Sequence, residues 1–300
     1  MSYRDAAAFR QALERRLKER SAGVGAHLAR DRKRVAFDRL LARLMAVAAD
    51  RWLLKGGFAL DLRLIDRARA TKDIDLDWRD RQDQLLDTLL DAADHDHGDF
   101  FTFRIERAGS PEDQLGGSWR FRVVASLAGR EFDTFLLDIG FRAVSTERVD
   151  TLTTPGLLAF AGFAPVTVPA LPLEAQAAEK LHAYTRIYAD AQPSSRTKDL
   201  VDLVLISDLA SLDAASLKRA IQETFAIRST HPAPEALPPP PTDWSRPFGE
   251  LASTVGIHTD LAAGYTAAAE LLDPILDGRI PNGTWDVDKR RWARGDETPL

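Results

Sequence analysis

Two runs decide how this chain is read: Trp52-Leu53-Leu54-Lys55-Gly56-Gly57-Phe58-Ala59-Leu60, and then Arg69-Ala70-Thr71-Lys72-Asp73-Ile74-Asp75-Leu76-Asp77-Trp78. The first is a short apolar run that stops at a glycine pair. Two glycines let the backbone turn sharply and approach a ligand closely, and the bare amides at a helix start attract phosphate. The second run alternates acid and apolar residues, the period-two pattern of a strand with one polar face. Carboxylates at i and i+2 on a strand point the same way, so Asp73 and Asp75 can converge on one divalent ion. Mg²⁺ takes hard oxygen ligands and keeps places for substrate phosphates and water. Alone, Asp-x-Asp also describes a solvated edge strand, and Gly-Gly an ordinary turn. The spacing between them is what gives both weight.

Lys55 is a candidate phosphate partner. Asp77 continues the acid face one pleat further on, as a ligand or a solvated residue. Asp138, among Leu136, Leu137, Ile139 and Phe141, is the candidate third carboxylate, since that setting does not suit an acid placed for solubility; the alternative is a partly exposed strand residue. Asp133 is a weaker competitor.

Working outward, helical spacing runs over 5–20 and from Arg32 to Ala49, ahead of the first strand. Helical turns follow at Phe58–Leu64, and a helix at Asp80–Ala93. Strands are expected at Phe100–Glu106, Arg120–Ala125 and Phe132–Gly140, with a turn at Gly129. This order suits a mixed sheet better than a long parallel repeat. Val166–Pro172 is extended, and the composition then becomes helical over Glu174–Ala189, Thr197–Leu209, Leu212–Phe225 and Ile257–Leu276. His231–Pro241 holds six prolines and reads as an exposed loop or linker. The expected organisation is an α+β lobe over 1–165, a mixed sheet flanked by helices with the N-terminal helices included, and a helical lobe over 166–300.

At 300 residues the chain can bury a sizeable core. With no cysteine, disulfides, thiolate metal sites and cysteine nucleophiles are excluded. No stretch has the length of a membrane span, and the N-terminus lacks a signal-peptide pattern, so a cytoplasmic protein with no membrane partner is expected. The net charge of −5 places any nucleic-acid contact on a local patch. His95 and His97 fall in a polar loop, His182 suits helix packing, and no Ser-His-Asp arrangement appears.

The residues also carry a family resemblance. Leu54-Lys55-Gly56-Gly57-Phe58-Ala59-Leu60 with Arg69-Ala70-Thr71-Lys72-Asp73-Ile74-Asp75-Leu76 resembles the first motif of the AbiEii/AbiGii-type toxin family of nucleotidyltransferases, in the DNA polymerase β-like superfamily. Glu179-Lys180-Leu181-His182-Ala183 resembles that family's lysine motif, and Arg196-Thr197-Lys198-Asp199-Leu200-Val201-Asp202-Leu203 the motif after it. The likeness runs in order over about residues 50 to 205. Gly57 stands where many superfamily members carry serine, which removes a hydroxyl contact but not the backbone ones.

The resemblance implies a polymerase β-like lobe followed by a helical one. Asp73 and Asp75 would bind Mg²⁺, with Mn²⁺ as the alternative, and Asp138 would fill the third place. Lys180 would contact the triphosphate or assist transfer, and Asp199 would orient Lys180 or activate the acceptor hydroxyl. Lys55, Gly56, Gly57, Arg69, Thr71 and Arg196 form the expected nucleotide-binding set. The activity implied is transfer of a nucleotidyl group from an NTP to a hydroxyl with release of pyrophosphate, by a toxin acting on the tRNA 3′ end and countered by an antitoxin encoded nearby. The competing readings are a small-molecule or protein hydroxyl as acceptor, and a non-catalytic nucleotide-binding partner.

Overall fold

The computed structural model describes residues 3–64, 67–108, 117–141, 148–186 and 196–293. The chain divides into two compact units. The first takes in 1–63, 70–143 and 149–170; the second takes in 64–69, 144–148 and 171–300.

The first unit is built on a seven-stranded mixed sheet. Its strands are β1 (Trp52–Lys55), β2 (Asp73–Trp78), β3 (Phe101–Ala108), β4 (Ser118–Leu127), β5 (Arg130–Gly140), β6 (Asp150–Thr153) and β7 (Thr167–Ala170), in the order β3-β4-β5-β2-β1-β7-β6. β2 runs parallel to β5 and β1 parallel to β7; the other neighbours are antiparallel. Ala128 and Gly129 both have positive φ, 53° and 69°. A two-residue turn of that kind matches the twist of paired strands and closes the β4–β5 hairpin where Gly129 was expected to turn the chain.

Alternation gives the sheet two different faces. Ile74, Leu76, Phe121, Val123, Leu137 and Ile139 are buried on one side. Helices α1 (Ala6–Arg20) and α2 (Gly25–Ala48) supply the partner surface. Asp5 caps α1 by accepting from the Ala8 amide at 2.8 Å, and α1 buries Phe9, Leu13 and Leu17, spaced four apart. Phe37 of α2 packs edge-on against Phe58 and Phe135, with ring centroids 4.9 and 4.8 Å away. Helix α3 (Gly56–Arg63) follows β1 directly, and α4 (Leu85–Asp94) buries Leu85, Thr88, Leu89 and Ala92.

Two buried ionic knots in this unit have no local signature in the sequence. Arg43 of α2 donates to both Asp99 oxygens, at 2.8 and 2.7 Å, and to the Phe101 carbonyl at 2.7 Å, which fixes the start of β3. Arg34 of α2 grips Asp61 of α3 with two bonds, at 2.7 and 2.8 Å.

The second unit is mainly helical: α5 (Leu173–Thr185), α6 (Thr197–Leu209), α7 (Ala214–Arg228), α8 (Ser245–Val255) and α9 (Leu261–Leu276). The expected helix over Glu174–Ala189 holds to Thr185; its last residues, 187–189, lie outside the described residues. The proline-rich segment is a packed loop rather than a linker. Leu237 is buried, its amide donates to Asp273 at 2.8 Å, and Tyr184 and Tyr265 donate to the Pro238 and Leu237 carbonyls at 2.7 and 2.8 Å. The C-terminal tail contains a small hairpin, β8 (Thr284–Asp286) with β9 (Arg291–Ala293). Its Trp285 and Trp292 indoles donate to the Ser207 and Leu271 carbonyls at 2.8 and 2.9 Å. The tail beyond 293 lies outside the described residues. The expected α+β class, a mixed sheet flanked by helices with further helices after it, is the fold observed.

Candidate active site

The acids of β2 lie on the sheet face opposite the apolar one. Register sets their neighbours: Asp75 is level with Asp138 of the parallel strand β5 on one side and with Lys55 of β1 on the other. One row across the sheet therefore reads Arg120, Asp138, Asp75, Lys55. Adjacent strands are about 4.8 Å apart, so neighbouring side chains in such a row are within reach of each other.

The glycine turn touches this row directly. Gly56 has φ +64°, and a β-carbon there would fall 2.0 Å from Asp75 Oδ2. Steric exclusion and backbone conformation both demand glycine. The Asp75 carboxylate is thus set against the turn that opens α3, and Arg34 holds α3 through Asp61. Gly57 is buried in the first turn of α3.

Asp77 proves not to be solvated. It is 1% exposed, and Lys55 Nζ lies 2.5 Å from its Oδ1. This pair sits over Gly140, where a β-carbon would meet Asp77 Oδ1 at 3.1 Å. Lys55 is therefore engaged with Asp77 at the end of the acid face. Asp133 is directed elsewhere and meets Lys33 of α2 at 2.7 Å. Thr71 Oγ1 donates to the Asp73 carbonyl at 3.2 Å and shapes the entry to β2.

Asp138 is held by Arg120, which sequence reading did not single out. Arg120 donates to Oδ1 at 2.7 Å and Oδ2 at 2.8 Å. Its pKa is raised, first by the bond to Asp138, with Asp138, Asp73 and Asp75 adding attraction against the cost of burial. Arginine 120 lies eighteen residues before Asp138, and only strand register joins them, so no local pattern announces the pair.

Among the described residues, no three acids or histidines already converge as a metal cage. The donor set is nevertheless suited to Mg²⁺. Asp73 and Asp75 are partly exposed carboxylates on one face, and a magnesium ion needs only one or two of these when substrate phosphates and waters complete its shell. Both Asp138 oxygens lie on Arg120. The Arg120 side chain is 55% exposed, so water can solvate it when another cation takes its place on Asp138.

The second unit has its own charged centre. Lys180 Nζ of α5 lies 3.0 Å from Asp199 Oδ1 and 2.7 Å from Asp202 Oδ2, both on α6. Arg69 chelates Asp202 at 2.9 and 3.0 Å, and Arg196 meets Asp199 at 2.8 Å. Both aspartates are fully buried. Burial opposes the Lys180 ammonium, but Asp202 and Asp199 outweigh it and its pKa is raised. Burial likewise opposes the Asp202 carboxylate, and Lys180 with Arg69 outweighs that, so its pKa is lowered. The two carboxylates therefore favour the ammonium form of Lys180. The expected residues Lys180, Asp199, Arg196 and Arg69 are brought together. Asp202 joins them, and its place three after Asp199 on the same helix face is legible in the sequence.

Residues 39–274 match a family model described as nucleotidyl transferase AbiEii toxin, of type IV toxin–antitoxin systems. The class of protein is thus the nucleotidyltransferases. More narrowly, the chain belongs to the AbiEii toxin family. Among solved structures, MenT4, a nucleotidyltransferase toxin from Mycobacterium tuberculosis H37Rv, shares the fold with a TM-score of 0.61 at 19% identity, covering 95% of this chain and 94% of that one. JHP933 from Helicobacter pylori aligns more loosely, with a TM-score of 0.43 at 17% identity over 86% of this chain and 94% of that one. Comparison with curated proteins returns no match. Among the described residues, no helix is long and apolar enough to cross a membrane.

Proposed function

We propose that this nucleotidyltransferase toxin moves a nucleotidyl group from an NTP to the 3′-terminal hydroxyl of tRNA, using Mg²⁺ held by Asp73 and Asp75, and that a cognate antitoxin opposes it in the cytoplasm. The observation that carries the reading is the contact between Asp75 and the glycine turn, where a β-carbon at Gly56 would fall 2.0 Å from the carboxylate. It sets the Asp75 carboxylate beside backbone amides suited to phosphate. Bound there, Mg²⁺ (or Mn²⁺) would neutralise triphosphate charge and help align the in-line displacement.

The remaining roles belong to the chain's own residues. Gly56 and Gly57 offer backbone N–H groups to the triphosphate. Asp138 accepts the acceptor hydroxyl's proton or joins the metal once Arg120 yields it. Lys180, kept protonated by Asp199 and Asp202, supplies positive charge for the triphosphate, and Arg69 and Arg196 hold those two acids in place. Thr71 shapes the approach to Asp73, and Lys55 anchors the acid face through Asp77.

The test is incubation with each labelled NTP, Mg²⁺ and total tRNA. The wild type should label tRNA and Asp75→Ala should lose at least a hundredfold in rate, the scale expected on removing a charge-stabilising group from a phosphoryl-transfer site. Equal absence of product from both proteins would sink the catalytic assignment. Labelling of a small molecule or protein with no tRNA product would overturn the acceptor.

A further inference from the structure

The acid face of the sheet continues past β5 onto β4, and there its charge reverses. Arg120 and Arg122 are two apart on β4, so they point to the same side as Asp138. Register places Arg122 opposite Leu136 of β5, and Leu136 opposite Asp73 of β2. On the other side Arg122 faces Glu106 of β3, which itself lies 3.4 Å from Arg104. Arg122 is exposed, and among the described residues it makes no hydrogen bond or ion pair. The Arg120 side chain is 55% exposed even while it grips Asp138.

Position in the sheet gives these arginines a direction. The glycine turn follows β1, on one side of β2, whereas β5 and then β4 lie on the other. The carboxylates Asp73, Asp75 and Asp138 stand between them. In phosphoryl transfer the attacking and leaving oxygens are roughly in line on opposite sides of the reacting phosphorus. If the triphosphate lies towards the glycine turn, the acceptor must enter from the β5–β4 side, where an exposed arginine pair is waiting. Arginine matches phosphate with a planar fork of donors. Two strand spacings of about 4.8 Å separate Arg122 from Asp73, which an extended arginine side chain can partly span. The chain is acidic overall, with net charge −5, so a polyanionic acceptor needs a local basic patch of this kind.

We propose that Arg120 and Arg122 form the acceptor subsite, binding backbone phosphates next to the reacting hydroxyl and so selecting an acceptor carried on a phosphodiester strand. This rests on the assignment of the nucleotide to the glycine turn and deepens it by naming where the acceptor lies. Arg122 binds phosphate only; Arg120 also holds Asp138, and an arriving acceptor phosphate draws it off that carboxylate.

Arg122→Gln is the clean probe, because this side chain is exposed and, among the described residues, holds no partner. The full chain is titrated with a fluorescent single-stranded RNA oligonucleotide at several salt concentrations and, separately, with Mg²⁺ and NTP by calorimetry. Arg122→Gln should weaken RNA binding roughly tenfold, the scale of one charged hydrogen bond. It should lower the salt slope by about 0.7, the value for one phosphate contact to a single strand. Its Mg²⁺·NTP affinity should match the wild type. Unchanged RNA affinity and slope would overturn the subsite, as would a loss of NTP affinity with RNA binding intact, which would move the arginine to the triphosphate side. No RNA binding by the wild type would overturn the phosphodiester acceptor. No Mg²⁺·NTP binding by a wild type that does bind RNA would instead overturn the nucleotide assignment, and this inference with it.

Discussion

Gly56 combines two constraints at one residue. Its φ of +64° disfavours any side chain, and the space a β-carbon needs is filled by the Asp75 carboxylate. Gly56→Ala must therefore strain the backbone and push Asp75 off the turn together. A destabilisation of about 1–3 kcal/mol is expected from the backbone alone, read as a lower midpoint in urea, with transfer falling much further than stability would explain. A variant that folds less well but retains full rate per folded molecule would show that the contact between turn and carboxylate has no part in the chemistry. At this scale the sequence displayed the residue types and their spacing. It did not display Arg120 on Asp138 or Lys55 on Asp77, because those contacts cross between strands and follow from register alone.

Elements are held in place by buried ions as well as by apolar packing. Helix α2 carries Arg34, Arg39 and Arg43, all buried, and through them fixes α3 and the start of β3. Asp99, completely buried, has its carboxylate pKa lowered because Arg43 and its hydrogen bonds outweigh the opposing effect of burial. Arg43→Met would leave that carboxylate with Arg39 at 3.4 Å as its remaining side-chain partner among the described residues. Breaking a buried pair from one side is expected to cost about 3 kcal/mol or more, measured by urea denaturation, and Arg43→Met combined with Asp99→Leu should recover part of it. An unaltered midpoint for the single variant would count against the knot. Periodicity revealed that α2 exists, since its apolar stripe is local. That three arginines on it face inward was hidden, because partners such as Asp61 and Asp99 lie far along the chain.

At the scale of the whole molecule, pH acts on the second unit through His182. Its ring is buried against Phe225, with His231 4.7 Å away. Burial, then His231, Arg228 and Arg186 disfavour its protonation, against a smaller opposing pull from Glu179, and its pKa falls from 6.5 to about 4. The folded form is therefore the poorer proton binder. Stability from this group is complete above about pH 6.5 and is lost as pH falls through that value towards about 4, where the folded form also titrates. A shift of that size sets an upper limit of about 3 kcal/mol on the loss. His182→Phe should flatten thermal stability between those pH values if packing is kept. A wild type whose melting temperature is constant across that window would refute the assignment.

The sequence by itself determined the α+β class, the strand that carries Asp73 and Asp75, the glycine turn, and the helical motifs around Lys180 and Asp199. Each is written in residues near one another, where alternation, helical spacing and glycine act locally. Tertiary structure alone decided which charges meet. It placed Asp138 level with Asp75, gave Asp138 to Arg120, gave Asp77 to Lys55, and joined Arg69 to Asp202 and Lys180. It also turned the proline-rich run into a pinned loop and the tryptophan tail into a hairpin. The reason is physical: a one-residue slip in strand register would exchange every partner on the acid face without altering the pattern that predicts the strand.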